Sequence, residues 1–254
     1  MFKIKTSIII ALVVFLVTLV LTVPNSYLVN KFAGPIEMLP VNIQSIDGSI
    51  STGSIVVDYE GIKTQVDWSL KPGALLLGKV KADVIISILD SQLTANVVLG
   101  LNSLNIQHVN GQLSYATISK LGQSQRLEVE GDVSIQNIAF KITQASMENE
   151  SGDISNVKTL HQLDGRMIYT GGKVTHPQFG QKEIPRLVAQ INEAEGVWKI
   201  SLNDDNENLL NLVDVSSDGS LVVQTYKAWS PIIGQQFRGS DPISILNYDL
   251  PTFK

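Results

Sequence analysis

The stretch SIDGSISTGSIVVDYEGIKTQVDWSLKPGALLLG, residues 45–78, contains the clearest strand and turn signals of the chain. Residues 54–59 and 63–70 are short runs rich in β-branched side chains, and a turn containing Gly61 separates them. Two such runs joined through a glycine predict an antiparallel hairpin. Pro72 is expected to end the second strand, because proline has no backbone N–H to donate to a neighbouring strand.

The same style of sequence continues from residue 41 onwards. Apolar and polar residues alternate in 80–89 (VKADVIISIL), in 127–135 and again in 138–142, and turn residues recur at intervals of roughly 8–12 residues. Alternation with a period of two gives each strand one buried and one wetter face. The sequence therefore predicts a mainly β fold, an antiparallel, Gly-punctuated β-meander domain, for which an elongated curved sheet is one arrangement.

A short motif of the form apolar-x-Gly-x-apolar recurs around Gly48, Gly111, Gly131 and Gly165. Hairpins favour turns of this kind, so the motif has a simple explanation in turn chemistry. A genuine structural repetition, in which one sheet is extended hairpin by hairpin, explains it equally well. The uneven spacing argues against a solenoid.

Few segments depart from this strand pattern. Short helices are predicted at 73–77 and 116–121. Residues 147–160 are polar and weakly periodic, which indicates either a loop or a weak pair of strands. The tail at 229–254 contains several prolines and glycines, so we expect it to be extended and packed over the domain without regular structure.

The N-terminus has the pattern of a membrane segment. Lys3 and Lys5 precede residues 6–23 (TSIIIALVVFLVTLVLTV), an uncharged run whose helical length is roughly 27 Å, close to that of a bilayer core. The positive-inside rule keeps the lysines in the cytoplasm and exports the chain beyond the run. We expect an uncleaved signal anchor. A cleaved signal peptide is the alternative, although the run is long and lacks an Ala-x-Ala exit.

Composition excludes several classes of function. The net charge is −5 and the pI is about 5.2, which argues against a nucleic-acid partner because phosphate binding needs a basic face. The chain has no cysteine, so it has no disulfide, no thiol chemistry and no Cys-zinc site. It is 44% hydrophobic, which is enough for a substantial core.

Catalytic and metal-binding motifs are missing as well. His108, His161 and His176 lie far apart in the sequence, and the acidic stretch 203–208 lacks the spacing of a calcium loop. No nucleophile elbow, Walker loop or dinucleotide fingerprint occurs. Asp67 and Asp83 could in principle act as paired carboxylates, but in strands we expect them to face solvent. The sequence therefore predicts no enzyme, no cofactor and no metal site.

Residues 39–78 carry a more specific pattern. Leu39-Pro40-Val41 is followed by GSISTG at 48–53 and by VDWSLKPGALLLG at 66–78. This pattern resembles the type II secretion system protein N family, and the N-terminal anchor and the chain length agree with that family. The matched residues that we interpret as structural are Leu39, Pro40, Gly48, Gly53, Trp68, Leu70, Pro72, Leu75 and Gly78.

The resemblance implies a non-enzymatic subunit of the machinery that exports folded proteins, anchored in the cell inner membrane with most of its mass in the periplasm. Its partners would be other secretion subunits, namely the secretin and the inner-membrane platform. The expected division is a cytoplasmic tip at 1–5, the anchor at 6–23, a connector at 24–40 and a periplasmic β domain at 41–254.

Two other classes of protein compete with this interpretation. The first is a membrane-anchored β-groove protein that binds or conveys lipid in the cell envelope. Ile85 and Leu89, apolar residues on the second face of their strand, are a weak indication of such a groove. The second is an anchored hydrolase, which the missing nucleophile motif disfavours.

Overall fold

The computed structural model describes residues 42–249 except 60, 78, 101, 124–125, 127, 149–153, 178–179, 195, 217–219 and 235. Within these residues the chain forms sixteen strands, two short α-helices and two 3-10 helices. The strands are β1 Asn42–Gly48, β2 Thr52–Tyr59, β3 Ile62–Leu70, β4 Val80–Ile88, β5 Ser91–Leu99, β6 Ser103–Leu113, β7 Glu128–Val129, β8 Val133–Glu148, β9 Ile154–Tyr169, β10 Gly172–His176, β11 Gly180–Ile184, β12 Leu187–Ala194, β13 Val197–Asp204, β14 Leu209–Ser216, β15 Ser220–Thr225 and β16 Ser244–Asp249. The helices are a 3-10 helix at Pro72–Leu77, α1 at Tyr115–Leu121, a second 3-10 helix at Lys227–Trp229 and α2 at Ser230–Ile233.

Thirteen of the strands form one antiparallel sheet in the order β1-β2-β3-β4-β5-β6-β8-β9-β12-β13-β14-β15-β16. The order follows the chain, apart from a detour in which β7, β10 and β11 form a separate three-stranded sheet. Each strand of the large sheet therefore pairs with its neighbours in sequence. This arrangement confirms the predicted antiparallel meander.

The predicted hairpin is present as β2 and β3, and the two predicted short helices are present as the first 3-10 helix and α1. The 3-10 helix begins at Pro72, immediately after β3 ends. Ser114 caps α1, its side chain accepting a hydrogen bond of 3.2 Å from the Thr117 backbone N–H. Such a cap satisfies a donor that the first turn of a helix leaves unpaired.

Two predictions of irregular structure are corrected. Of the two alternatives for residues 147–160, the strand pair is right for the described residues 147–148 and 154–160, since β8 and β9 pair in register from Gln144–Lys158 to Glu148–Ile154. Backbone pairing sustains these strands although their sequence barely alternates. The tail is only partly irregular, because it forms α2 and then β16, which pairs with β15 along its whole length, whereas the described residues 236–243 between them form no helix or strand.

Three adjacent strands carry bulges at corresponding positions. His108 in β6, Asn137 in β8 and Gln162 in β9 have φ angles of 52°, 50° and 56°, and the pairing register shifts beside the first two. Each bulge adds one residue between two neighbouring side chains of the same face, so that Ile106 and Val109, for example, are three residues apart instead of two. Because all three strands insert one residue at corresponding positions, opposed side chains on the three strands still point to the same face beyond the bulges, while the strands bend there.

Side chains from neighbouring strands satisfy the backbone groups that these bulges release. The Asn110 Oδ1 accepts a hydrogen bond of 2.9 Å from the Asn137 N–H, and the Asn110 amide donates one of 2.8 Å to the His108 carbonyl. Glu193 of β12 accepts a hydrogen bond from the Gln162 N–H in the same way. The bulges are therefore supported features of the sheet, not defects.

The structure decides between the two explanations of the glycine motif at particular positions. Gly48 lies at the end of the β1–β2 hairpin, as a turn residue should. Gly111 instead lies within β6, three residues after the bulge at His108, and Gly165 lies within β9, three residues after the bulge at Gln162. Turn chemistry alone therefore does not explain the motif, and its recurrence in β6 and β9 follows the recurrence of the bulges.

The most deeply buried side chains lie at the C-terminal half of the large sheet. Leu210 is fully buried, and Trp198 and Ile191 are almost so. The remaining buried apolar side chains are Ile62, Ala74, Leu187, Val188, Ala189 and Val215. The core is therefore concentrated on β12, β13 and β14.

In the part of the chain that the structure describes, no helix combines the length and the apolar character needed to cross a membrane. The predicted tip, anchor and connector, together with Leu39 and Pro40, lie outside the described residues.

Gly111 provides a test of the bulged sheet. Its φ is +154°, and a Cβ at this position would lie 2.1 Å from the Gln92 carbonyl oxygen of β5. We expect Gly111→Ala to lower the free energy of unfolding by about 1–3 kcal/mol, measured by urea denaturation with circular dichroism. Gly73→Ala is the matched control, because nothing lies within 4 Å of a Cβ there, and it should change stability by less than about 0.5 kcal/mol. Equal stability of the two variants would contradict this account of the motif.

Candidate interaction surfaces

The family-like motif residues Gly48 and Gly53 lie directly opposite each other at the end of the β1–β2 hairpin. A Cβ on Gly48 would lie 2.4 Å from the Thr52 carbonyl oxygen and 2.7 Å from the Gly53 Cα, and the φ of Gly48 is +84°. The backbones thus approach too closely for side chains. This turn requires a glycine at residue 48 for both steric and conformational reasons.

Trp68 fastens this turn to β3. Its indole Nε1 donates a hydrogen bond of 3.1 Å to the Ile50 carbonyl, and the Leu70 N–H donates one of 2.7 Å to the Ser51 carbonyl. Trp68 is itself only half-buried. The tryptophan therefore positions the turn through its N–H as well as contributing apolar surface.

The structure brings some of the predicted motif residues together. Gly48, Gly53 and Trp68 line one cleft of about 480 Å³ at the end of strands β1–β4. Leu70 and Pro72 follow at the end of β3 and the start of the 3-10 helix. Leu75 belongs to the same 3-10 helix, and Gly78 lies outside the described residues.

Three carboxylates, from Asp47, Asp67 and Asp83, also line this cleft. The Lys71 ammonium lies 2.8 Å from Asp83, and the Asn96 amide donates a hydrogen bond to the same carboxylate. The hydrogen bond from Lys71 lowers the pKa of Asp83, desolvation opposes this shift, and the charge of Lys71 and the hydrogen bond from Asn96 lower the pKa further. Asp83 is therefore an ionised, solvent-facing partner in an ion pair, and nothing in this geometry resembles a shared-proton carboxylate pair.

A buried hydroxyl cluster lies beside the turn between β4 and β5, where α1 meets the sheet. Thr117 is fully buried, and the Ser91 hydroxyl donates a 2.7 Å hydrogen bond to its Oγ1. Ser114 donates to Asp90, and this hydrogen bond lowers the pKa of Asp90. No histidine takes part in the hydrogen bonds found in this cluster, which anchors the start of α1 and does not form a catalytic triad.

Metal ligands do not converge in the described residues, where no group of three or more His, Asp or Glu side chains could hold an ion. His108 lies at the β6 bulge, His176 lies in the small sheet, and the His161 Nε2 is 3.1 Å from the Thr143 hydroxyl. The three histidines thus lie on different strands in unlike surroundings.

The most extensive surface of the molecule is one face of the large sheet. The strand registers place the apolar residues of successive strands directly opposite one another, for example Val66, Ile86 and Leu93. We call this surface the apolar face. Its members on β3–β8 are Ile62, Val66, Trp68, Leu70, Val80, Ala82, Val84, Ile86, Ile88, Leu93, Ala95, Val97, Leu99, Leu104, Ile106, Val109, Leu113, Val133, Ile135, Ile138, Phe140 and Ile142.

The apolar face is covered unevenly. Its members on β12–β14 include the buried side chains Ala189, Trp198 and Val215, whereas on β3–β8 only Ile62 is buried among the apolar members that the structure describes. Leu99 is 45% exposed. The N-terminal half of the sheet therefore presents a broad, half-exposed apolar surface, which on a soluble domain indicates a binding surface.

The opposite face of β3–β8 is mostly polar. Lys63, Gln65, Asp67 and Ser69 alternate with the apolar residues of β3, and the following strands continue this alternation. Ile85 is an exception, with an exposed fraction of 39%. The sheet thus has one apolar and one solvated face, as the sequence predicted.

Comparison with known families agrees with the motif analysis. The sequence model described as type II secretion system (T2SS), protein N, matches residues 40–230. The chain belongs to the type II secretion system protein N family. Neither a curated protein nor a solved structure matches it. Membership makes this T2SS protein a component of a secretion machinery and indicates a location in the cell envelope.

The sequence analysis identified the two faces of the T2SS protein's sheet but not how well each is covered. Alternation in residues 80–89 correctly places Val84 and Ile86 on one face. The exposed edge strand β16 was missed, because its six residues lie in a tail rich in proline and glycine. Three apolar side chains within four residues, Ile245, Leu246 and Tyr248, were the signal that could have revealed it.

The ion pair of Asp83 generates a pH dependence. Because the pKa of Asp83 is lowered in the folded state, its stabilising contribution is present above the ordinary value of 3.8 and is lost as the pH falls through the folded-state pKa. The Asp83 side chain is 47% exposed, so Asp83→Asn should cost less than about 1 kcal/mol at pH 7.

Urea denaturation at pH 7 and at pH 3 tests this expectation. The difference in midpoint between wild type and Asp83→Asn should shrink at the lower pH. Asp67→Asn is the control, since it removes a carboxylate from the same cleft without touching Lys71, and its effect should not follow this pattern. A difference for Asp83→Asn that is the same at both pH values would contradict the assignment.

Proposed function

We propose that this chain is a non-enzymatic subunit of the type II secretion machinery that acts by binding other subunits through the apolar face of its β domain. One observation carries the proposal. From β3 to β8 the described side chains of the apolar face form a continuous surface without a charge, yet almost none of it is buried. An apolar surface of this breadth is costly to leave in water, so it is expected to have a partner.

The family supports the identity of the partners. Components of one secretion machinery assemble with each other, and the candidate subunits are the secretin and the inner-membrane platform. The net charge of −5 and the polar opposite face are consistent with a domain that stays soluble while a single surface is engaged. The hydroxyl and histidine environments described above favour binding over catalysis.

Residues 6–23 would hold this domain at the inner membrane, with the lysines in the cytoplasm and the sheet in the periplasm. The support is the length of the uncharged run and the position of Lys3 and Lys5 before it. Anchoring would confine the apolar face to the compartment in which folded cargo meets the secretin.

A lipid-binding role is the second candidate, and the uncharged character of the described apolar face favours it. Among the described side chains of the apolar face between β3 and β8 none is charged, so hydrocarbon chains could lie on it without burying a charge. A protein partner remains our first choice, because the family is a secretion component and because polar residues such as Thr64 and Ser91 do occur at the ends of this face.

Paired variants on one strand test the role of the apolar face. Ile86 lies on the apolar face and Ser87, the next residue, lies on the opposite face. We expect Ile86→Asn to reduce the recovery of crosslinked secretion subunits at least about tenfold, since a good apolar anchor contributes about 1.4 kcal/mol or more to an interface. Ser87→Asn should recover the same subunits as wild type.

Mass spectrometry of the crosslinked complexes and of co-extracted lipid provides the measurement, with circular dichroism to verify that both variants fold. If Ile86→Asn and Ser87→Asn recover the same subunits, the apolar face is not the binding surface. Loss of bound lipid in Ile86→Asn, with no secretion subunit recovered even from wild type, would replace the first candidate by the second.

A reporter fusion tests the anchor. Alkaline phosphatase fused after Lys254 should be active, because the enzyme matures only outside the cytoplasm, and deletion of residues 6–23 should abolish that activity. Lys3→Glu with Lys5→Glu should lower it, since the positive-inside rule depends on these charges. An active fusion after deletion of residues 6–23 would contradict the proposed anchor.

A further inference from the structure

The last strand of the large sheet is unusually apolar at its surface. Within the described residues β16 pairs only with β15, and it forms one edge of the sheet. Eight large apolar side chains are exposed among all the described residues. Three of the eight belong to the six residues of β16: Ile245 (56%), Leu246 (46%) and Tyr248 (53%). Exposed apolar surface is therefore concentrated at one edge.

The two edges of the sheet differ in how they are protected. The first strand, β1, has a register shift between Ile43 and Ser45 and ends in Asp47-Gly48. Bulges and charged residues of this kind discourage the addition of another strand. In contrast, β16 pairs without a register shift from Ser244 to Asp249 and contains neither lysine nor proline. Of the two described edges of the large sheet, only that of β16 is paired without a register shift, and its one charged residue, Asp249, lies at its end.

The exposed side chains of β16 lie on both faces of the sheet. Leu246 and Tyr248 are opposite Val223 and Leu221 on the apolar face, whereas Ile245 is opposite Gln224 on the other face. A partner that lay over one face would cover only one of these sets. A strand added beside β16 would contact both sets and would also pair the backbone groups at the edge.

We propose that the β16 edge binds the β16 edge of a second copy of this chain. The added strand must itself have a free edge and apolar side chains on both faces, and β16 has both properties. Two copies related by a two-fold axis perpendicular to the sheet would pair antiparallel. This proposal concerns the edge of the sheet and does not rest on the role of the apolar face.

The pairing register follows from the side chains. In an antiparallel pair, directly opposed residues point to the same face of the sheet. With the two-fold axis perpendicular to the sheet, one residue of β16 therefore lies opposite the same residue of the second copy, and the flanking residues pair symmetrically on either side of it. With Asn247 in that position, Leu246 faces Tyr248 of the second copy, and this contact forms twice. The two sheets then become one, with both apolar faces on the same side.

Single cysteines test this register in a chain that has none of its own. We expect the full-length Asn247→Cys variant, purified in mild detergent and treated with a mild oxidant, to form a disulfide-linked dimer, because directly opposed strand positions bring Cβ atoms within bonding reach. Ser45→Cys on β1 is the control, since that residue is also exposed on an edge strand, and it should stay monomeric.

Charge at the edge provides the second test. Leu246→Lys should convert the dimer to a monomer in light scattering, halving the measured mass. Leu121→Lys is the matched control, because Leu121 of α1 lies outside the apolar face and is 48% exposed, against 46% for Leu246, and it should leave the mass unchanged. Circular dichroism verifies that both variants fold.

Three results would overturn the proposal. Wild type could be monomeric throughout the micromolar range, or Asn247→Cys could crosslink no better than Ser45→Cys. As the third result, the wild-type chain could be monomeric and bound to another secretion subunit that Leu246→Lys releases, which would make the β16 edge a site for a different protein. Loss of the dimer in Leu246→Lys, with crosslinked secretion subunits still recovered, would support the edge proposal separately from the proposed function.

Discussion

The structure depends on the need to cover one apolar face of a thirteen-stranded sheet. A sheet that is apolar on one side must pack that side against something. This chain meets the requirement at β12–β14, where Trp198 and Val215 are buried, and leaves β3–β8 largely uncovered. The two halves thus differ in how well the same face is covered. On β3–β6 and β8 the described charged side chains of the strands lie outside the apolar face.

The aligned bulges allow the strands of a long sheet to bend without losing the alternation of their side chains. Bulges bend a strand but usually break the alternation of its side chains. Here His108, Asn137 and Gln162 insert one residue in each of three neighbouring strands, so alternation resumes in phase across the sheet. Asn110 and Glu193 bind the released backbone groups. The Asn137 and Gln162 N–H groups therefore have acceptors, and the bulges do not interrupt the apolar face.

Local pattern was sufficient for the hairpin of β2 and β3 and for α1, because alternation, turn residues and helix propensity act over a few residues. It was not sufficient where the decisive partner is distant. The strand at Ser244–Asp249 forms because it pairs with β15, and the proline-rich sequence around it does not predict this pairing. The bulge at His108 could not be predicted, since a residue other than glycine has a left-handed φ there. Alternation shows which face is apolar, but it cannot show how much of that face the fold covers.

The order of the strands has a consequence for how the chain reaches its native state. Apart from the β7, β10 and β11 detour, each strand of the large sheet pairs with the strand before it. A sheet ordered in this way can grow stepwise, each strand adding to the edge left by the strand before it. A chain that emerges from a translocation channel with its N-terminal end first could add hairpins as they appear, without waiting for the C-terminal strands. The final strand, β16, would then be the last to join, and until it did the growing sheet would expose β15 as a temporary edge.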